Sequence, residues 1–232
     1  MTRSSLIFAC AVPMLGVMAW GGCGGKKTRV PVPPPTASRK RVTAPPAPPA
    51  GSTERGVASW YGHPYHGRPA ADGEIYDMEQ LVAAHRTLPF QTMVRVRNLT
   101  NDKTVDVRII DRGPFVNNRV IDLSHAAARA IEMIGPGVAQ VELTILSSPA
   151  SAAPAQFGVQ VGAFRERGNA DRMQQSMREL YGAASMVLRQ GDPPLWRILA
   201  GKEPTPEAAE TLARRIRQEQ HVPQAFVVRL DP

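Results

Sequence analysis

Residues 56–146 concentrate the side chains of this sequence that could move a proton. Asp111 follows the alternating run Val105, Val107 and Ile109, and continuing that two-residue period puts its carboxyl on the face of the three apolar residues. Desolvation there raises a carboxyl pKa toward the range in which it stays protonated near neutral pH, and Arg112, facing the other way, opposes this only weakly. Glu74 and His85 supply a second carboxylate and an imidazole. Such groups donate or accept in general acid–base chemistry. Each also has a plainer reading. Asp111 opens an Asp-Arg-Gly-Pro turn, Glu74 follows an Asp-Gly turn, and a histidine after two alanines is commonly packed and hydrogen-bonded. Trp60 and Tyr61 offer flat apolar faces for stacking, or a contribution to a core.

Other chemistries fit poorly. His63, His66, His85 and His125 share one segment, but no pair has the helix-face spacing with a carboxylate partner that zinc hydrolases use, and Cys10 and Cys23 lie elsewhere. No metal and no cofactor are expected. No serine stands in a nucleophile-elbow context. The formal charge of +8 invites a nucleic-acid reading until it is apportioned. Residues 24–55 hold seven Lys and Arg against the single Glu54, whereas residues 56–150 carry nine against ten Asp and Glu, and residues 151–232 carry eleven against nine. The basic excess belongs to a tail, whereas a duplex-binding domain concentrates charge on a folded face; nucleic acid is not an expected ligand.

The elements that must position these residues are short. Alternation predicts strands over Gly56–Tyr61, Met93–Asn98, Lys103–Ile110 and Val138–Leu146, with one helix from His125 to Ile134 capped by Ser124. Many short strands with little helix point to a small barrel over residues 56–146. A Ser, Ala and Pro-rich linker follows at 147–156. Residues 157–232 read as a second, α+β domain in the order βαββαβ: a strand Phe157–Phe164, a helix Ala170–Tyr181 capped by Asn169, strands Ser185–Gln190 and Leu195–Leu199, a helix opened by Thr205-Pro206, and a strand Ala225–Leu230. That order packs two helices on one sheet face and leaves the other face open, and the linker predicts two domains with few contacts between them.

Ahead of the folded part, Arg3 precedes the 15-residue apolar stretch Leu6–Trp20, which fits a secretory signal and is short of the roughly 20 residues a membrane span needs. Gly21-Gly22-Cys23-Gly24 resembles a bacterial lipobox, so residues 1–22 are expected to be removed and Cys23 to be lipidated. Residues 23–55 then form a basic linker, with eight of the 22 prolines between Val30 and Ala50. Gly24, rather than Asp, after the cysteine implies an outer-membrane anchor facing the periplasm of a Gram-negative bacterium.

Several phrases carry a family resemblance: Ala58-Ser59-Trp60-Tyr61-Gly62, His66-Gly67-Arg68, Asp72-Gly73-Glu74, Ala83-Ala84-His85-Arg86-Thr87-Leu88-Pro89, Asp111-Arg112-Gly113-Pro114-Phe115 and Ile121-Asp122-Leu123-Ser124. In this order they resemble the rare lipoprotein A family, septal lytic transglycosylases on a double-psi β-barrel related to expansins. Gly158-Val159-Gln160-Val161-Gly162-Ala163-Phe164 resembles the opening of a SPOR domain, commonly fused to that barrel. Four positions depart from the family pattern. Ala70 and Asp72 stand where it usually has Thr and then Asn or Ser, Ile110 stands where Asn often precedes the Asp, and Gln91 replaces a Gly.

The resemblance implies endolytic cleavage of peptide-free (denuded) peptidoglycan strands at the division septum, leaving 1,6-anhydro-N-acetylmuramic acid ends. It implies Asp111 as catalytic acid/base, with Glu74 and His85 in the same groove and His85 bonded to Asp111 or taking the sugar's 6-hydroxyl proton. Trp60 and Tyr61 would stack on sugar rings, and Gln160 and Phe164 would be glycan contacts of the SPOR domain. Partners would be denuded strands, the membrane through the lipid anchor, and septal proteins. The alternative is an expansin-like glycan-binding or structural lipoprotein that does not cut.

Overall fold

The computed structural model describes residues 49–149, 155–190 and 193–230. The expected signal peptide, the lipidation site Cys23, most of the Pro-rich linker and residues 150–154 of the second linker lie outside the described residues.

Strands β1 (Thr53–Tyr61), β2 (Val82–His85), β3 (Met93–Asn98), β4 (Thr104–Asp111), β5 (Arg119–Ser124) and β6 (Val138–Ser147) close into a barrel in the order β1-β5-β2-β4-β3-β6. The β1/β5 and β2/β4 pairs are parallel and the rest antiparallel. This is the expected double-psi β-barrel. Val94, Val96, Val105, Val107, Ile109, Ile121, Leu123 and Leu143 fill it, each such burial contributing roughly 1.5–3 kcal/mol.

Strands β2 and β5 were not among those that alternation predicts. All four residues of β2 are buried: Ala83 joins the barrel core, while Val82 joins a satellite cluster with Ala70, Tyr76 and Ile110 on the other face. A strand covered on both faces has no polar side to alternate with. Helix α1 (His125–Ala130) is shorter than expected, although Ser124 caps it by accepting from the Ala127 N–H at 3.2 Å. Ile131 and Met133 stay in the core beyond its end, so the apolar spacing outlasts the helix.

The second domain holds β7 (Phe157–Phe164), α2 (Arg167–Tyr181), β8 (Ala184–Arg189), β9 (Leu195–Glu203), α3 (Pro206–Gln220) and β10 (Phe226–Arg229). Its sheet runs β10-β7-β9-β8. Ala170 and Met177 of α2 and Ala213 and Ile216 of α3 bury against Val159, Val161, Ile198 and Ala200. Thr205 caps α3 as expected, but α2 starts at Arg167 with Glu166, not Asn169, at its N-cap.

The two domains meet through a small number of contacts. The Arg229 N–H donates to the Arg86 carbonyl at 3.0 Å, the Arg197 guanidinium lies 4.7 Å from the Phe115 ring centre, and Arg189 reaches Asp111. The sheet face opposite the helices borders a cavity of about 680 Å³ whose far wall is Ala71, Phe90 and Arg112 of the barrel. This face carries guanidinium groups, two of which meet a ring and a carboxylate of the barrel.

Candidate active site

Strand register assembles the site. Ser59 of β1 pairs with Asp122 of β5, Asp122 with Ala84 of β2, and Ala84 with Asp111 of β4, giving one row across four strands. Two carboxylates therefore flank the methyl group of Ala84. Asp111 does not share the face of Val105, Val107 and Ile109 as alternation predicts. The β2/β4 pairing slips at Ala83/Ala84, so that Ala83 pairs with Ile109 and Ala84 with Asp111. Ile110 is the extra residue, and the bulge re-aims the following side chain. Asp111 thus leaves the core face and opens on two cavities, with Tyr61 and Tyr65 lining both.

Asp111 is 3% exposed. Its Oδ1 accepts from the backbone N–H groups of Ala71 at 3.1 Å and Arg112 at 2.8 Å. Its Oδ2 accepts from Arg189 Nη2 at 2.8 Å. Asp122 is bonded by the Ser59 hydroxyl. Burial raises its pKa, against the lowering effects of the Ser59 bond and of Arg119, and the charge of Asp111 adds to the rise. Gly113 has no side chain to cover it; a Cβ there would stand 3.6 Å from Asp122 Oδ2. Asp122 was not singled out from the sequence, although one acidic residue inside the apolar run Ile121–Leu123 was a visible signal.

Tyr61 lays its ring on Tyr76 at 4.3 Å and 15°, so one of its faces is already taken. Its hydroxyl is buried with no hydrogen-bond partner, and burial, then the charge of Asp111, raises its pKa. Trp60 packs against the barrel core and meets His125 edge-on, rather than standing clear for stacking.

His85 is not bonded to Asp111. Its Nδ1 accepts from the N–H groups of Thr87 at 3.2 Å and Leu88 at 3.1 Å, and its Nε2 faces Glu54 Oε2 at 3.2 Å. With Nδ1 accepting twice, the proton belongs on Nε2. The ring lies in a different cavity, with Glu54, Arg86 and Glu210. Adjacent residues on a strand face opposite ways, so Ala84 and His85 cannot both face the carboxylates. His85 touches the site only through its carbonyl, which accepts from Arg112 Nη1 at 3.2 Å.

Glu74 is held outside the row. Arg108 grips both its oxygens at 2.6 and 2.9 Å, and its side chain is 45% exposed. The Arg108 bond is the largest influence lowering its pKa, which suits a clamp better than a proton donor.

The four departures fall into two touching pairs. Ala70 and Ile110 share the apolar cluster beneath Tyr61. Gln91, at φ 66° where a glycine is easiest, donates to Asp72 at 3.0 Å and to Glu74 at 3.1 Å. One pair exchanges polar for apolar packing, and the other holds the 72–74 turn to the loop before β3.

In the second domain Gln160 lines the cavity facing the barrel and its Oε1 has no partner. Phe164 lies on the helix side, packed against that domain's core. A register slip between Gln160 and Gly162 breaks the alternation that would have put the two on one face.

Residues 53–143 match the family described as Lytic transglycolase, and residues 153–229 match the SPOR domain. The Endolytic peptidoglycan transglycosylase RlpA of Campylobacter jejuni is 52% identical over 96 residues, 41% of this chain and 35% of that protein. Its namesake in Vibrio cholerae is 48% identical over 99 residues, 43% of this chain and 38% of the relative. The matched stretch thus spans little more than a third of these relatives' length. With the barrel matched to one family and the remainder to the other, the chain joins a lytic transglycolase double-psi barrel, similar to these RlpA proteins, to a C-terminal SPOR domain.

Proposed function

We propose that this protein is an endolytic peptidoglycan lytic transglycosylase that cuts peptide-free glycan strands and leaves 1,6-anhydro-N-acetylmuramic acid ends. The observation that carries the proposal is the Ser59–Asp122–Ala84–Asp111 row, two carboxylates on one face of the barrel. The reaction needs a proton for the departing glycosidic oxygen and an acceptor for the proton of the 6-hydroxyl, which attacks the anomeric carbon. Asp122, its pKa raised by burial, fits the donor. Asp111, with Oδ1 fixed by two backbone N–H groups, would offer Oδ2 as acceptor once Arg189 withdraws from it. The acid/base role that the family resemblance implies for Asp111 is thereby divided between two residues. The partnerless Tyr61 hydroxyl would bond the sugar beside them. Glu74 steadies the 72–74 turn, and His85 steadies Arg112.

Gln160 of the SPOR domain is proposed as a glycan contact because its amide oxygen lacks a partner. Enrichment at the septum would follow from capture of denuded strands there. Lipidation of Cys23, with the outer-membrane anchor and septal partners, completes the proposal; an acyl label that persists in Cys23→Ala would overturn the anchor.

The test is mass spectrometry of purified denuded glycan incubated with the full chain and with Asp111→Asn. The expected result is anhydro-ended fragments from the wild type and a rate lower by about 10² to 10⁴ in the variant. Equal release by the two would remove Asp111 from the chemistry. No release by either, with glycan still bound, would leave the expansin-like binding reading.

A further inference from the structure

Both oxygens of Asp111 are occupied, but by different kinds of partner. Oδ1 is held by two backbone N–H groups of the barrel itself. Oδ2, the one left to face a substrate, is covered by a guanidinium from the other domain, at the end of β8. The Asp111 side chain is 4% exposed and that of Arg189 27%, so water reaches the arginine more readily than the carboxylate. A sugar hydroxyl cannot reach Oδ2 until Arg189 moves. Moving it is costly if it leaves a desolvated guanidinium without an anion, and cheap if another carboxylate takes its place.

Resting on the proposed cleavage of peptidoglycan glycan, we propose that Arg189 is a specificity-determining residue: it covers Asp111 in the free protein and transfers to the lactyl carboxylate of a peptide-free N-acetylmuramic acid, uncovering Asp111 Oδ2. The lactyl group carries a charge only where the stem peptide is gone; with a peptide attached it is a neutral amide at that position. A planar guanidinium distinguishes the two because it pairs with carboxylate through two parallel N–H bonds and gains no such pair from an amide. Arg165 borders the same cavity and supplies further positive charge. The SPOR domain thereby takes part in choosing what is cut, through a residue seated in the barrel's own site.

The experiment compares denuded strands with the same strands whose lactyl carboxylates have been capped as methylamides, using the full chain. Wild type should release anhydro ends from the free-carboxylate strands about ten- to a hundredfold faster. Arg189→Gln should bring that ratio near one, chiefly by a gain on capped strands, and Arg189→Lys should keep part of it. A ratio unchanged in Arg189→Gln overturns the inference. Calorimetric binding of the two strands provides a second readout. Preference for free carboxylates that disappears in Arg189→Gln, with neither protein cutting, sustains the role of Arg189 and sinks the cleavage. Wild-type cutting of both strands at equal rate does the reverse.

Discussion

Asp111 and His85 end two neighbouring parallel strands, β4 and β2, and each is 3% exposed. His85 is satisfied by its own surroundings: two N–H groups from the loop that follows it on one nitrogen and Glu54 on the other. Asp111 is satisfied only with help from another domain, and two cavities open on it. Burial and residue type do not separate them; the origin of the hydrogen-bond partners does. A buried group whose needs are met within its own domain holds that domain together. One whose partner comes from a separable domain can exchange that partner for a ligand.

The largest expected effect, the loss of rate in Asp111→Asn, tests one side of this contrast. Asp122→Asn should lower the rate by about 10² or more and, unlike a scaffold mutation, stabilise the fold. Burial raises the Asp122 carboxyl above its ordinary 3.8. Its contribution is therefore fully present below that value and lost as pH rises through the raised one, leaving a penalty at neutral pH. Asn carries no charge and can still accept from Ser59. Its melting temperature at pH 7 should be higher by about 2–4 °C, with the gap closing as pH falls toward the ordinary carboxyl range. A variant that melts lower at pH 7 would contradict a strained, functional carboxylate.

The smallest effect on rate is expected at His85. His85→Ala removes the acceptor of the Thr87 and Leu88 N–H groups, which should cost roughly 1–3 kcal/mol in urea unfolding. Cleavage per folded molecule should stay within about tenfold of wild type. The contrast between the two strand ends breaks if folded His85→Ala loses as much rate as Asp111→Asn.

Much of this was legible in the sequence. Alternation located β3, β4 and β6, because each has one face in the barrel core and one toward water. It failed at β2, which is buried on both faces. It also failed at the most consequential point, since a two-residue period has no means of announcing the extra residue Ile110, and so it carried Asp111 into the core. The family phrases brought Glu74, His85 and Asp111 into view by their types, but not their separation into a clamped carboxylate, a buttress and a carboxylate covered from the other domain. Arg189 lies 78 residues from Asp111, in what reads as a separate domain, and no local pattern joins the two.

The row through Ala84 has one more consequence. Its members are consecutive rungs of a backbone ladder, so the Cα atoms of Asp111 and Asp122 stand two interstrand steps apart, about 10 Å. That gauge is made of peptide groups and not of side chains. Substitutions throughout the core can drift without altering it, much as a ruler keeps its divisions when the bench beneath is repainted. The middle division carries only a methyl group, and a bulkier residue at position 84 would stand between the two carboxylates, where the proposed glycan would lie.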